Sequence, residues 1–199
     1  MIIAYFNFNP INIKAYPPGP ARVTMDATMD ATMDAPDHPN DPSSCALHRQ
    51  WTLFYKKNAD QWDRASFRRV GEISNVKEMW QLLNYIPANL AGHVNIFFMD
   101  EQRVPLWEEH GSLFKDGGCW STVVKGIDWT TVTKEICMIV FGETVFDDAL
   151  VKGICVVPVN QGHSIVKIWT TTSCPENGRL MESALNHIKI FSPRFKKFT

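Results

Sequence analysis

From Leu47 onward the apolar positions fall into the two spacings that folded elements require; before it they do not. Trp51-Thr52-Leu53-Phe54-Tyr55 alternates and predicts a strand, because successive strand side chains point to opposite faces. Phe67 to Ile73, Asn95 to Met99 and Trp120 to Val124 predict three more. Ile154 to Val159 and Ile165 to Thr171 predict a pair joined by the turn Asn160-Gln161-Gly162-His163. The helical spacing predicts a first helix from Val76 to about Tyr85, capped by Ser74 or Asn75 and stopped before Pro87. Met79, Leu82, Leu83 and Ile86 centre on one face of it, with Val76 and Trp80 at the edge. Asp128 or Thr130 caps a second helix reaching Phe141, with Val132, Ile136, Ile139 and Val140 inward and Glu135 and Met138 away from that centre. A third helix is expected from about Glu176 to His187, then a strand at Ile188–Phe191 and a basic end from Ser192 to Thr199. Hairpin-joined strands with interspersed helices predict an α+β fold, an antiparallel sheet with helices on one face.

Residues 1–45 have a different character. Pro17-Pro18-Gly19-Pro20 precedes three copies of Thr-Met-Asp-Ala ending at Ala35, and Pro36, Pro39 and Pro42 follow. Two basic residues against five aspartates leave this stretch at −3 and the rest of the chain at +2. Such a segment buries too little apolar area to offset its ordering entropy, so 1–45 is expected to be a disordered tail and 46–199 the folded domain.

Composition narrows the function. A net charge of −1 argues against a broad phosphate-binding surface, so any nucleic-acid role must rest on a local site. No apolar run is long enough to cross a bilayer, and the start lacks the features of a secretory signal. Five cysteines without a Cys-x-x-Cys spacing suit free thiols in a reducing compartment; neither a metal nor a cofactor is called for.

The most informative residues are among the seven tryptophans. Trp107 is followed directly by Glu108, in a loop punctuated by Pro105. The ring offers a stacking face and the carboxylate two acceptors for a guanine edge. Trp62, in another polar loop, suits the second face of a pocket for a flat cation.

These residues carry a resemblance to a known family. Trp51 with Phe54, Trp62, Trp80, Leu106-Trp107-Glu108, Gly117-Gly118-Cys119-Trp120, Gly142-Glu143 and Ile168-Trp169-Thr170-Thr171 follow one another as in eukaryotic translation initiation factor 4E, over roughly Leu47 to Lys197. The resemblance implies a curved antiparallel sheet of about eight strands with three helices on its convex face, and a binding protein rather than an enzyme. It implies that Trp62 and Trp107 sandwich the 7-methylguanine of a messenger-RNA 5′ cap, that Glu108 accepts from the guanine N1–H and N2–H₂ groups, and that Trp169 lies beside the N7 methyl. Methylation makes the purine a delocalised cation, which two indole faces attract more than neutral guanine. It further implies that Val76, Trp80, Glu135 and Met138 dock a helix of an initiation factor 4G-like scaffold or of a 4E-binding repressor, in a cytoplasmic protein with the nucleus as a further compartment.

The chain departs from the family where the phosphates are gripped. Val159, Ile165 and Cys119 stand where the family has basic residues. Lys167 shares a strand face with Trp169 and is the expected substitute; Lys115, Arg194, Lys196 and Lys197 are further candidates. On the helices, Lys134 replaces an apolar contact position, and Cys45-Ala46-Leu47 replaces the family's His-Pro-Leu entry. Two alternatives stand beside the recruiting adaptor: a cap-binding paralogue that represses or stores messages without a 4G-type partner, and a thiol enzyme using Cys119 with His110 or His163.

Overall fold

The computed structural model describes residues 45–86, 93–142, 150–160, 162–173, 179, 182–183 and 193–198. The predicted tail and the strand expected at 188–191 lie outside them. Of the third predicted helix only Arg179, Glu182 and Ser183 are described, and they are helical.

The chain runs through β1 (Ala46–Lys57), β2 (Arg68–Asn75), α1 (Val76–Tyr85), β3 (Val94–Asp100), β4 (Gly118–Lys125), α2 (Trp129–Phe141), β5 (Val151–Asn160), β6 (His163–Thr170) and β7 (Arg194–Lys197). The strands form one curved antiparallel sheet in the order β2-β1-β3-β5-β6-β4-β7. Among the described residues there are thus seven strands and two helices, where about eight and three were expected.

Helix boundaries follow their caps. The Asn75 side chain accepts from the Glu78 N–H at 2.9 Å, and the Glu78 carboxylate accepts from the Ser74 N–H at 2.7 Å, so Asn75 is the cap and Ser74 joins the same motif. Asp128 caps α2 by accepting from the Thr130 and Thr131 N–H groups. Met79, Leu82 and Leu83 are buried as the spacing predicts, as are Val132, Ile136 and Val140; Ile139 is half-buried, and Thr133 and Cys137 take the inward face with them.

The sheet divides the apolar residues by alternation. Leu53, Ile96, Phe98, Ile154, Val156, Val166 and Ile168 join both helices in the larger core, where Trp51 stacks on Phe141 at 4.7 Å and Trp129 is 1% exposed. Phe54, Phe67, Phe97, Met99, Leu106, Phe114, Cys119, Cys155 and Trp169 form a second, aromatic-rich cluster, which takes in residues of the opposite strand faces. Gly118 lets β7 approach β4 closely, since a Cβ there would lie 2.2 Å from the Lys196 carbonyl oxygen. The basic end is therefore partly a strand: Phe195 packs over Trp120 at 5.3 Å, and the lysines between the phenylalanines mask that alternation in the sequence.

Candidate nucleic-acid interface

The second cluster floors a cavity of about 260 Å³ lined by Trp62, Phe97, Trp107, Cys119, Cys155, Lys167, Trp169, Lys196, Lys197 and Phe198. Strand register builds that floor. Cys119, Trp169 and Lys196 fall in one row, because Cys119 pairs with both Trp169 and Lys196. Cys155, paired with Phe97 and with Lys167, sets the next row. Trp169 is 4% exposed and meets Phe97, Phe114 and Phe198 edge-on.

Two loops deliver the remaining residues, and they leave opposite ends of the β1–β3 ladder. Lys57, where the first loop starts, pairs with Val94; Asp100, where the second starts, pairs with Trp51. In the first loop Asp63 caps a 3₁₀ turn at Arg64–Ser66 through the Ser66 N–H, at 2.9 Å. Trp62 just before it is 46% exposed and touches Phe67 and Phe97 edge-on. The Lys56 ammonium lies 5.5 Å from the Trp62 ring centroid, and donates to the carbonyls of Lys57 and Asp60 at 3.0 and 2.6 Å. Lys56 itself is only 3% exposed. It ties the loop backbone together and covers one face of Trp62.

The second loop is anchored at Asp100. This carboxylate is fully buried among Arg49, Arg103 and Lys152, at 3.5, 2.5 and 3.1 Å. Glu101 and Gln102 then turn through the left-handed region, with φ of 49° and 62°. A 3₁₀ turn at Trp107–His110 follows, with the Glu109 N–H donating to the Leu106 carbonyl at 3.1 Å. Trp107 is half-buried and Glu108 exposed, and Glu108 makes no hydrogen bond or ion pair among the described residues. The neighbouring Glu109 pairs with Arg64 of the first loop.

The structure thus gathers Trp62, Trp107, Trp169 and Lys167 around one cavity, with Glu108 beside it in sequence on the 3₁₀ turn. Lys196 and Lys197 also line it, while Lys115 and Arg194 are exposed and do not. Phe97 and Phe198 were not singled out from the sequence. Phe97 lies in an unbroken apolar run whose two faces look alike, and Phe198 lies among the charges of the basic end. Val76, Trp80, Glu135 and Met138 are elsewhere, on α1 and α2; Trp80 is 36% and Met138 38% exposed, and Val76 and Glu135 are half-buried.

The cavity does not suit thiol chemistry. Burial pushes the Cys119 thiol up, against the opposing pull of Lys167 and Lys196, and pushes Cys155 up to about 12. Among the described residues no histidine lines the cavity: His110 has its ring nitrogen 3.2 Å from the Val104 carbonyl oxygen, and His163 begins β6, six residues before Trp169. Among the described residues no group of three His, Cys, Asp or Glu side chains is placed to hold a metal, and no helix is long and apolar enough to cross a membrane.

An antiparallel sheet with helices on one face and an aromatic, lysine-edged cavity on the other defines the architecture of an α+β protein with a prominent concave site. The chain belongs to the eukaryotic initiation factor 4E family, whose model matches residues 46–193. It is 27% identical over 140 residues to the eukaryotic translation initiation factor isoform 4E-2 of Zea mays; that stretch covers 65% of this chain and 62% of the maize protein, so this chain spans under two thirds of that relative. Its fold resembles that of C. elegans eIF4E-3 in complex with the 4E-binding protein Mextli and cap analog, with a TM-score of 0.64 at 22% identity, covering 77% of this chain and 92% of that one. It likewise resembles Ascaris suum eIF4E-3 in complex with m7G cap, with a TM-score of 0.62 at 24% identity over 78% and 92% of the two chains.

Proposed function

We propose that this protein binds the 7-methylguanosine 5′ cap of messenger RNA in the aromatic cavity, and that it recruits a helical partner on the α1–α2 surface. The observation that carries the reading is the convergence of Trp62, Trp107 and Trp169 on one cavity from two loops and a strand. Trp62 and Trp107 stack on the methylated base, each such contact contributing about 1–3 kcal/mol. Trp169 faces the methyl group. Glu108 accepts from the guanine N1–H and N2–H₂ groups, which adenine cannot offer as a pair; such charge-assisted bonds contribute about 1.5–3 kcal/mol. Lys167, with Lys196 and Lys197, supplies the positive edge for the phosphates. The cap complex of the Ascaris relative and the Mextli complex of the C. elegans relative support the choice of cap and of a 4E-binding partner.

Fluorescence titration with 7-methylguanosine triphosphate against guanosine triphosphate tests this. A clear preference for the methylated nucleotide, lost in Trp107→Ala and weakened in Glu108→Gln, is expected. Equal binding of the two nucleotides would refute it. The repressor alternative is distinguished by partner capture: cap binding without binding of a 4G-type helix would favour it.

A further inference from the structure

Phe198 has a relationship to the site that the base-binding reading does not use. Its ring lies parallel to that of Trp107, at 5° between planes and 5.5 Å between centroids. It also meets Trp169 at 5.1 Å and 65°, and Phe114 at 5.2 Å and 79°. A base bound as proposed must satisfy the same two relations: parallel to Trp107 and beside Trp169. Phe198 already satisfies both.

We propose that Phe198 occupies the stacking place on Trp107, so that the ligand base enters only when Phe198 leaves. This rests on the base-binding reading above. The backbone makes departure easy. Phe198 lies one residue past the last ladder pair of β7, Gly118 with Lys197, on an edge strand of four residues. Its N–H donates to the Gly117 carbonyl at a long 3.3 Å. Rotation of the side chain, or fraying of this one position, uncovers Trp107 without disturbing the Phe195–Trp120 contact that holds β7 on the sheet. The two states differ by aromatic contacts that the incoming base replaces. A methylated, cationic purine displaces a neutral phenyl ring well, because the indole face favours the cation. Unmethylated guanine lacks that advantage, but both bases bear the same cost of moving Phe198, so Phe198 lowers the affinity of the site and leaves the methyl preference to the indole faces.

The closing measurement is titration of the full chain with 7-methylguanosine triphosphate and with guanosine triphosphate, for wild type, Phe198→Ala and Phe198→Trp. When the competent form is a minor fraction, apparent affinity falls by that fraction; a site open about a tenth of the time therefore gains about tenfold when the occupant is removed. Phe198→Ala is expected to bind both nucleotides about three- to tenfold more tightly, by the same factor, with the methyl preference unchanged. Phe198→Trp is expected to bind both more weakly. In the unliganded protein Phe198→Ala should also raise acrylamide quenching, by an increment that disappears in a Trp107→Phe background. Unchanged or weaker binding by Phe198→Ala, with that quenching increment present, would overturn the proposal and make Phe198 a supporting wall. Absence of methyl preference in every variant would instead overturn the base reading, and this proposal with it.

Discussion

Arg64 and Glu109 form an ion pair between the two loops that carry Trp62 and Trp107. These loops leave opposite ends of the β1–β3 ladder, so the pair closes a bridge over the site face. Both side chains are partly exposed, and such a pair contributes only about 0–1 kcal/mol. Its expected effect is on the spacing of the rings rather than on stability. Arg64→Ala or Glu109→Gln should weaken cap-analogue binding by up to about fivefold while leaving the thermal midpoint nearly unchanged. The exchanged pair Arg64→Glu with Glu109→Arg should recover most of the loss. A double variant no better than either single one would count against the bridge.

Lys56 should act on the site from beneath. Replacing it with methionine keeps the stem but removes the ammonium that binds two loop carbonyls and lies over Trp62. A destabilisation of about 1–3 kcal/mol is expected, because two part-buried carbonyl oxygens lose a charged donor. Cap-analogue affinity should fall as well. Chemical denaturation and titration on the same sample separate the two effects; full affinity in a destabilised variant would remove Lys56 from the positioning of Trp62.

Lys167→Ala should weaken binding of the methylated triphosphate by about fivefold, and of the methylated nucleoside by less than about twofold. The salt dependence of triphosphate binding should become shallower. Equal losses for both ligands would mean that Lys167 supports the base pocket and not the phosphates.

Trp80 is a large aromatic on the helix surface, 36% exposed beside the buried face of α1. Trp80→Ala should reduce capture of a 4E-binding helix by about thirtyfold, as truncation of an aromatic anchor does, and leave cap binding intact. Unchanged capture would place the partner on another surface.

The buried thiols predict an alkaline limit to stability. The Cys155 thiol is held up at about 12, from an ordinary value of 9.0, by burial. Above that ordinary value the unfolded chain loses the proton while the folded chain keeps it, so stability is full below about 9 and declines as pH rises toward 12. Denaturation midpoints compared near pH 8 and pH 10.5 should show a smaller drop in Cys155→Ala than in wild type. A neutral-pH alkylating agent should reach the exposed Cys45 well before Cys119.

Local sequence determined much of this protein. Alternation marked β1, short β-prone runs marked β2 to β6, Asn75 and Asp128 set the helix starts, and Trp107-Glu108 marked a candidate base-reading loop, because these signals act over a few residues. Tertiary structure alone decided what faces the cavity. In the apolar run of β3 only the sheet's two different coverings send Phe97 to the site and Phe98 to the helices. Arg64 meets Glu109 across 45 residues, and Phe198 reaches Trp107 because the glycine-opened edge of β4 accepts β7. Such meetings are set by ladder register and loop direction, which depend on pairings distant along the chain and leave no local periodicity to read.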